Sequence, residues 1–260
     1  MEEVIALNRA LEEYVRPATF PVAVKLAAAG EKAPDKARHP VGELGHPSAL
    51  CQGMAMARRY KWTVVFEKED HGCPAGAVVL GHYKPDKLLE GAIAHPGYAA
   101  TPEAGQAMER ANAFLPHGSV QAVWLAPLAR AGFFPDVVVV YGNAAQVGRL
   151  IHAANYVSGR GVESRSFGRL ACSGYIVRPV VTGECALVVP SGGERIFALA
   201  QDDELIFAIP RARMREVAEG LAATHNQGMA RFPTPFFGIT AQPVFPVKYQ
   251  EAFKVVTAEE

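Results

Sequence analysis

No stretch of this 260-residue sequence comes near the roughly 18 to 20 uncharged apolar residues that a bilayer-spanning helix requires. Charge of one sign is also lacking: 26 Lys and Arg balance 26 Asp and Glu. Without a net field the chain has nothing to steer it onto nucleic acid or an anionic membrane, and neither is expected as a partner. The short basic groups Arg58, Arg59, Lys61 and Arg211, Arg213, Arg215 read as solvated faces of helices. The opening MEEVIALNRALEEYV carries acid where a signal peptide carries positive charge, and it has no apolar segment followed by a cleavage site. A cytoplasmic location is therefore expected. Cysteine is scarce, four residues in all, and in a reducing compartment widely spaced cysteines are thiols or metal ligands before they are disulfides. No GxGxxG, GxxxxGK[ST], GxSxG or HExxH motif is present, so nucleotide-loop, hydrolase-elbow and zincin chemistry have no support.

What the sequence does have is a packed-globule balance, half hydrophobic and one-fifth charged. Val4, Leu7, Leu11, Tyr14 and Val15 recur at helical spacing up to Pro17. PVAVKLAA, WTVVFE, SVQAVWLAPL and DVVVVYG read as strands, and residues 30–47 as a long loop broken by Pro34 and Pro40. Ser48 is the expected N-cap of a helix through ALCQGMAMARRY, with Cys51 in its first turn. EDHGCPAG reads as a turn before the apolar run AVVLG, and Pro102 opens a helix. NAAQVGRLIHAANYVSG is a helix closed by glycine and fed directly by the VVVVY strand. From Leu170 to Pro210, short β-prone runs between Gly, Pro and Asp predict antiparallel sheet, and Pro210 begins a further helix to about His225. The expected fold is α+β: mixed or antiparallel sheets flanked by helices in one unit over 1–260, with sub-lobes 1–140 and 141–260 meeting at a cysteine-lined site.

Three segments, CQGMAMARRYKWTVVFEKEDHGCPAGAVVLG, YGNAAQVGRLIHAANYVSG and ACSGYIVRPVVTGECALVVPSGGERIFALAQDDELIFAIPRARM, together resemble an uncharacterised archaeal and bacterial family, domain of unknown function 169. The resemblance spans nearly the whole chain. It rests on the order of parts: an early cysteine, a Cys-Pro turn before an apolar Leu-Gly segment, a strand running into a helix, a later cysteine pair, and an acidic DDEL strand ending in Ile-Pro. It implies a single architecture and no particular chemistry, and it places the family's cysteine-bearing segments at Cys51, Cys73, Cys172 and Cys185.

Four thiols equal the ligand count of a cubane iron–sulfur cluster or of a closed zinc site. Their spacing is not CxxC…CxxC, so the fold would have to assemble the site from two distant pairs. Cys51, Cys73 and Cys172 fall at helix starts or turns, where backbone N–H groups support a thiolate. Cys185 begins an apolar strand and reads equally well as a small buried hydrophobe. The chain has core enough to fold without a metal, so the leading expectation is a 4Fe–4S protein held by Cys51, Cys73, Cys172 and Cys185, with zinc less favoured. Its role would be redox, cluster handling or small-molecule chemistry, with a redox partner or a small molecule opposite it; self-association is left open. The alternatives are a metal-free small-molecule-binding module, in which Arg178 or Arg195 recognises an anion and the aromatic tail Phe232 to Phe237 forms a lid, and a thiol enzyme using Cys73. His71 and His46 read first as solvated turn histidines, His152 as a core histidine, PSGGER as a hairpin turn, and Asp202, Asp203 and Glu204 as a solvated acidic turn.

Overall fold

The strand segments AVWLAP, VVVVYG and LIFAIP are buried at all or all but one position rather than at alternate ones, so both faces of the sheet must be covered. β1 (Val22–Ala27) shows the consequence: Val22 and Val24 enter one core, while Ala23 and Ala27 enter another on the opposite face. β4 (Val137–Gly142) divides in the same way, with Val137, Val139 and Tyr141 on the first face and Val138 and Val140 on the second. The computed structural model describes residues 1–91, 93–233 and 245–258.

Between and beyond these lie β2 (Val64–Phe66), β3 (Ala122–Pro127), β5 (Glu163–Ser164), β6 (Ala186–Val188) and β7 (Leu205–Pro210). They form one seven-stranded sheet in the order β2-β3-β1-β4-β7-β6-β5. Only the β5–β6 pair is parallel, so the sheet is mixed and the fold is α+β. β1 sits between β3 and β4, with Val24 opposite both Leu125 and Val137.

Eleven α-helices lie among the described residues. α1 (Glu2–Ala10) continues through a π-turn, Leu11–Val15, and stops where Arg16 takes a left-handed conformation. α2 (Pro40–Leu44) interrupts the expected loop of 30–47. α3 (Leu50–Tyr60), α4 (Pro74–Val79), α5 (Asp86–Leu89) and α6 (Pro102–Arg110) follow. α7 (Ala144–Ser158) is capped at its start by Asn143, whose Oδ1 accepts from Gln146 N–H at 3.0 Å, and ends at left-handed Gly159. α8 (Arg178–Thr182), α9 (Gly192–Phe197), α10 (Met214–Asn226) and the outlying α11 (Val247–Thr257) complete the chain.

Helices α1, α7 and α10 cover the second face. A Cβ on Gly220 would lie 2.2 Å from the Ala153 carbonyl oxygen, so glycine alone permits that approach of α10 to α7. On the first face Gly53 plays the same part: a Cβ there would meet the Phe66 ring at 2.3 Å, so α3 presses directly onto the sheet.

The region expected as antiparallel sheet from Leu170 is half helical. Residues 171–182 form one helical stretch, a π-turn at Ser173–Val177 running into α8. Ala171, Cys172, Tyr175, Ile176 and Pro179 are buried, a helical period that overrides the β-propensity of the Ile and Val residues. PSGGER is likewise no hairpin: Ser191 Oγ accepts from Glu194 N–H at 3.4 Å and begins α9. The start of the AVVLG run after Cys73 belongs to α4, which has Pro74 at its first position and ends at Val79. No helix is long and apolar enough to cross a membrane among the described residues.

Candidate functional site

The first face of the sheet buries chemistry as well as hydrocarbon. Cys51 lies in the first turn of α3, Cys73 is the residue before α4, and Cys172 enters the π-turn ahead of α8. These three side chains line one cavity of about 250 Å3, whose wall is otherwise mainly apolar and includes Tyr98, Leu170 and Phe197, with Arg169 and Ser191 among its polar groups. Cys73 and Cys51 are half-buried; Cys172 is buried. A Cβ placed on Gly76 would lie 3.5 Å from Cys73 Sγ and 3.9 Å from Cys172 Sγ, so both sulfurs flank the same bare stretch of α4 backbone. Gly76 N–H donates to Cys73 Sγ at 3.4 Å.

Ser48 is not the cap that positions Cys51. The N-cap of α3 is Ala49, whose N–H donates to Gln52 Oε1 at 2.7 Å, while Ser48 Oγ is buried without a partner among the described residues. The Ser48 backbone instead accepts Gly72 N–H at 2.8 Å, which ties the loop carrying Cys73 to the start of α3.

Beneath Cys51 lies the carboxyl of the PSGGER segment. Glu194, on α9, is wholly buried, and its two oxygens accept from Tyr141 and Tyr175 hydroxyls, each at 2.6 Å. The Cys51 thiol lies against the same carboxyl. Burial raises the Glu194 pKa, opposed by hydrogen bonds from Tyr141, Tyr175 and Cys51. Burial, and then Glu194 itself, pushes the Cys51 thiol well up; burial and neighbouring Cys73 do the same to Cys172.

Arg58 holds α9 in place. It was expected on a solvated helix face, yet it is wholly buried, gripping Glu204 through both terminal nitrogens at 2.9 Å and lying 3.9 Å over the Tyr141 ring. Its remaining N–H groups donate to the Ala198 and Leu199 carbonyls just after α9 and to Thr19 Oγ1. Glu204 is accordingly no part of a solvated acidic turn; although burial works the other way, the Arg58 hydrogen bonds hold its carboxyl below the usual range. Arg213, also expected in solvent, is buried against Glu184 and Glu216. At the cavity wall Arg169 pairs with buried Glu109, whose pKa burial raises even against the Arg169 charge.

Cys185 is elsewhere. It immediately precedes β6, and alternation sends Ala186 to the first face and Cys185 to the second, among the residues packed with α1, α7 and α10. The sheet thus separates it from the other three thiols. Burial raises its pKa to about 12.

The four-cysteine expectation is corrected here. Among the described residues no group of three or more His, Cys, Asp and Glu side chains is disposed to hold a metal ion, and the iron–sulfur reading, with the metal-binding role it gave to Cys51, Cys73, Cys172 and Cys185, falls with that finding. Its physical reason is visible in Cys185, assigned by strand parity to the wrong side of the sheet, and in Cys51, whose thiol faces a carboxyl instead.

The histidines also differ from expectation. His71 is mostly enclosed between Phe66 and His82, tilted to both rings with centroids at 5.3 and 4.6 Å, and neither ring nitrogen has a partner among the described residues. Burial, reinforced by His82, pulls its pKa down to about 3. His46 is exposed, as expected, whereas His152 is exposed rather than in the core. Arg178 is paired with Glu163 at 3.1 Å and borders a separate cavity of about 440 Å3, also lined by Arg160, Glu184 and Cys185, where arginines and carboxylates neutralise one another. Arg195 donates to the Gln201 carbonyl at 2.8 Å and pairs with Asp202. Neither arginine faces the thiol-lined cavity. Of the aromatic tail, Phe232 is described and lies under Arg16 and Arg149, while Phe236 and Phe237 fall outside the described residues.

The model of one family, DUF169, described as an uncharacterised ArCR family, matches residues 10–220. The chain belongs to this family. The matched DUF169 span contains all seven strands, the thiol-lined cavity and Glu194. An uncharacterized protein of Methanocaldococcus jannaschii, MJ0308, is 25% identical over 204 residues, covering 77% of this chain and 85% of that relative. No solved structure matches the chain.

Proposed function

We propose that this DUF169 protein binds a small, largely apolar molecule in the cavity between α3, α4 and the Ser173–Val177 turn, and that Cys73 is the thiol that reacts with it. The observation that carries this reading is the meeting of three thiols from distant parts of the chain on one concave, mostly apolar wall. Cys73 is the half-buried thiol at the free end of α4, able to meet a ligand without moving the sheet. Cys51 is a weaker candidate because burial and the neighbouring Glu194 carboxyl disfavour its thiolate, and Cys172 is a weaker one because it is buried. Glu194, gripped by two tyrosines, serves as a positioning residue that fixes the Cys51 side of the wall. The reducing cytoplasm is the compartment in which such thiols persist, and the balanced charge favours a small molecule over nucleic acid as partner.

A thermal-shift screen of small metabolites, followed by N-ethylmaleimide labelling, tests the reading. A ligand of this cavity raises Tm by binding only the folded state and slows labelling of Cys73 in the same concentration range. Ligands that raise Tm yet leave Cys73 labelling unchanged would put the binding site elsewhere and remove the proposal.

A further inference from the structure

We infer that Cys73 and Cys172 form a working dithiol that reduces a small organic disulfide bound in this cavity; the inference rests on the reading of Cys73 as the reacting thiol and extends it to a substrate class and a second participant. Of the three thiols that line the cavity, Cys73 and Cys172 are the two that approach Gly76. Both lie close to Gly76, at 3.5 and 3.9 Å from the point where a side chain would begin. One thiol is half-buried and the other is buried, and both line the same cavity. A single reactive cysteine needs no such neighbour; a thiol that must be released from a mixed disulfide does.

The steps balance without any further reagent. Cys73 Sγ, as thiolate, attacks one sulfur of R–S–S–R; a Cys73–S–S–R bond forms, the substrate S–S bond breaks, and the departing R–S⁻ takes up the proton that Cys73 gave up. Cys172 Sγ, giving up its proton, then attacks Cys73 Sγ, forming the Cys73–Cys172 disulfide and releasing the second R–SH. Two protein thiols lose two electrons and one substrate disulfide gains them. A second turnover requires a dithiol reductant to restore the pair. The size of the cavity, about 250 Å3, restricts the substrate to a small disulfide and excludes a folded protein partner from the inner thiol.

The test uses the full chain and 2-hydroxyethyl disulfide. Reduced protein is expected to release about two equivalents of 2-mercaptoethanol per chain, and peptide mapping without reductant is expected to show a Cys73–Cys172 link. C172S should stop at a mixed disulfide on Cys73, C73S should lose the reaction, and C185S, altered on the other face of the sheet, should react as wild type does. A wild-type protein that keeps a stable mixed disulfide on Cys73 would overturn the dithiol while leaving the proposed reacting thiol intact. A link through Cys51 or Cys185, or no release at all although N-ethylmaleimide labels Cys73, overturns it equally. Matching circular dichroism spectra for the three variants separate loss of chemistry from loss of fold.

Discussion

The two faces of the sheet solve the same packing problem with different materials. Under α1, α7 and α10 the core is mainly hydrocarbon, Leu7, Leu11, Val138, Val140, Leu150, Phe207 and Val217 among it, with buried Arg213 and its carboxylates at its edge, and the helices close to the point where only Gly220 fits. Under α3, α4 and α9 the same strands carry Tyr141 in a network with Glu194, Tyr175, Cys51, Arg58 and Glu204. Burying those groups costs free energy that hydrocarbon in their place would not, so the second arrangement reads as selected for something beyond folding. The contrast teaches where to look: Cys185 lies alone on the other face, beside a cavity whose arginines and carboxylates neutralise one another, whereas Cys51, Cys73 and Cys172 share one mainly apolar cavity.

The comparison can be broken most sharply at Arg58. Arg58→Met leaves Glu204 buried and unpaired and strips the donor from two carbonyls just after α9, so a loss of about 3–5 kcal/mol is expected in denaturant unfolding. A loss under about 1 kcal/mol would mean that the network is not integral to the polar face. On the opposite face Gly220→Ala forces α10 from α7 and should cost about 1–3 kcal/mol, while leaving Cys73 labelling unchanged. Altered Cys73 labelling in that variant would show that the faces are not independent.

Acid should act through the polar face first. His71 has a folded pKa of about 3 against 6.5 for an ordinary histidine, so between those values the unfolded chain binds the extra proton. Its contribution is intact above pH 6.5 and is lost as pH falls from there toward 3, with a slope of at most about 1.4 kcal/mol per pH unit. His71→Leu should flatten the acid limb of a stability-against-pH curve; an unchanged limb would assign acid sensitivity to other groups. The smallest effect belongs to Cys185→Ser, about 1 kcal/mol for a hydroxyl in place of a buried thiol, measured by the same unfolding assay.

Much of this contrast was legible in the sequence, and its limits are physical. The period of Val4, Leu7 and Leu11 and the all-apolar DVVVVY strand led directly to α1 and β4. Residues 171–182 misled because Tyr, Ile and Val favour strands in isolation, and only burial against the sheet selects the helix. Arg58 and Glu204 are 146 residues apart, so no local pattern pairs them. Glu194 hid in a run that reads as a turn, and its role depends on Tyr141 and Tyr175 arriving from two other elements. The separation of Cys185 from its fellows was within reach: strand parity at Ala186 decides it once the face of β6 is known.

The most direct test of the two-face account is the rate at which N-ethylmaleimide labels each cysteine of the native protein, resolved by peptide mass spectrometry. Cys73 is expected to label first, at least about tenfold ahead of Cys172 and Cys185, which react only as the fold opens, with Cys51 between them. Cys185 labelling as fast as Cys73, or Cys73 reacting only on global unfolding, would contradict it.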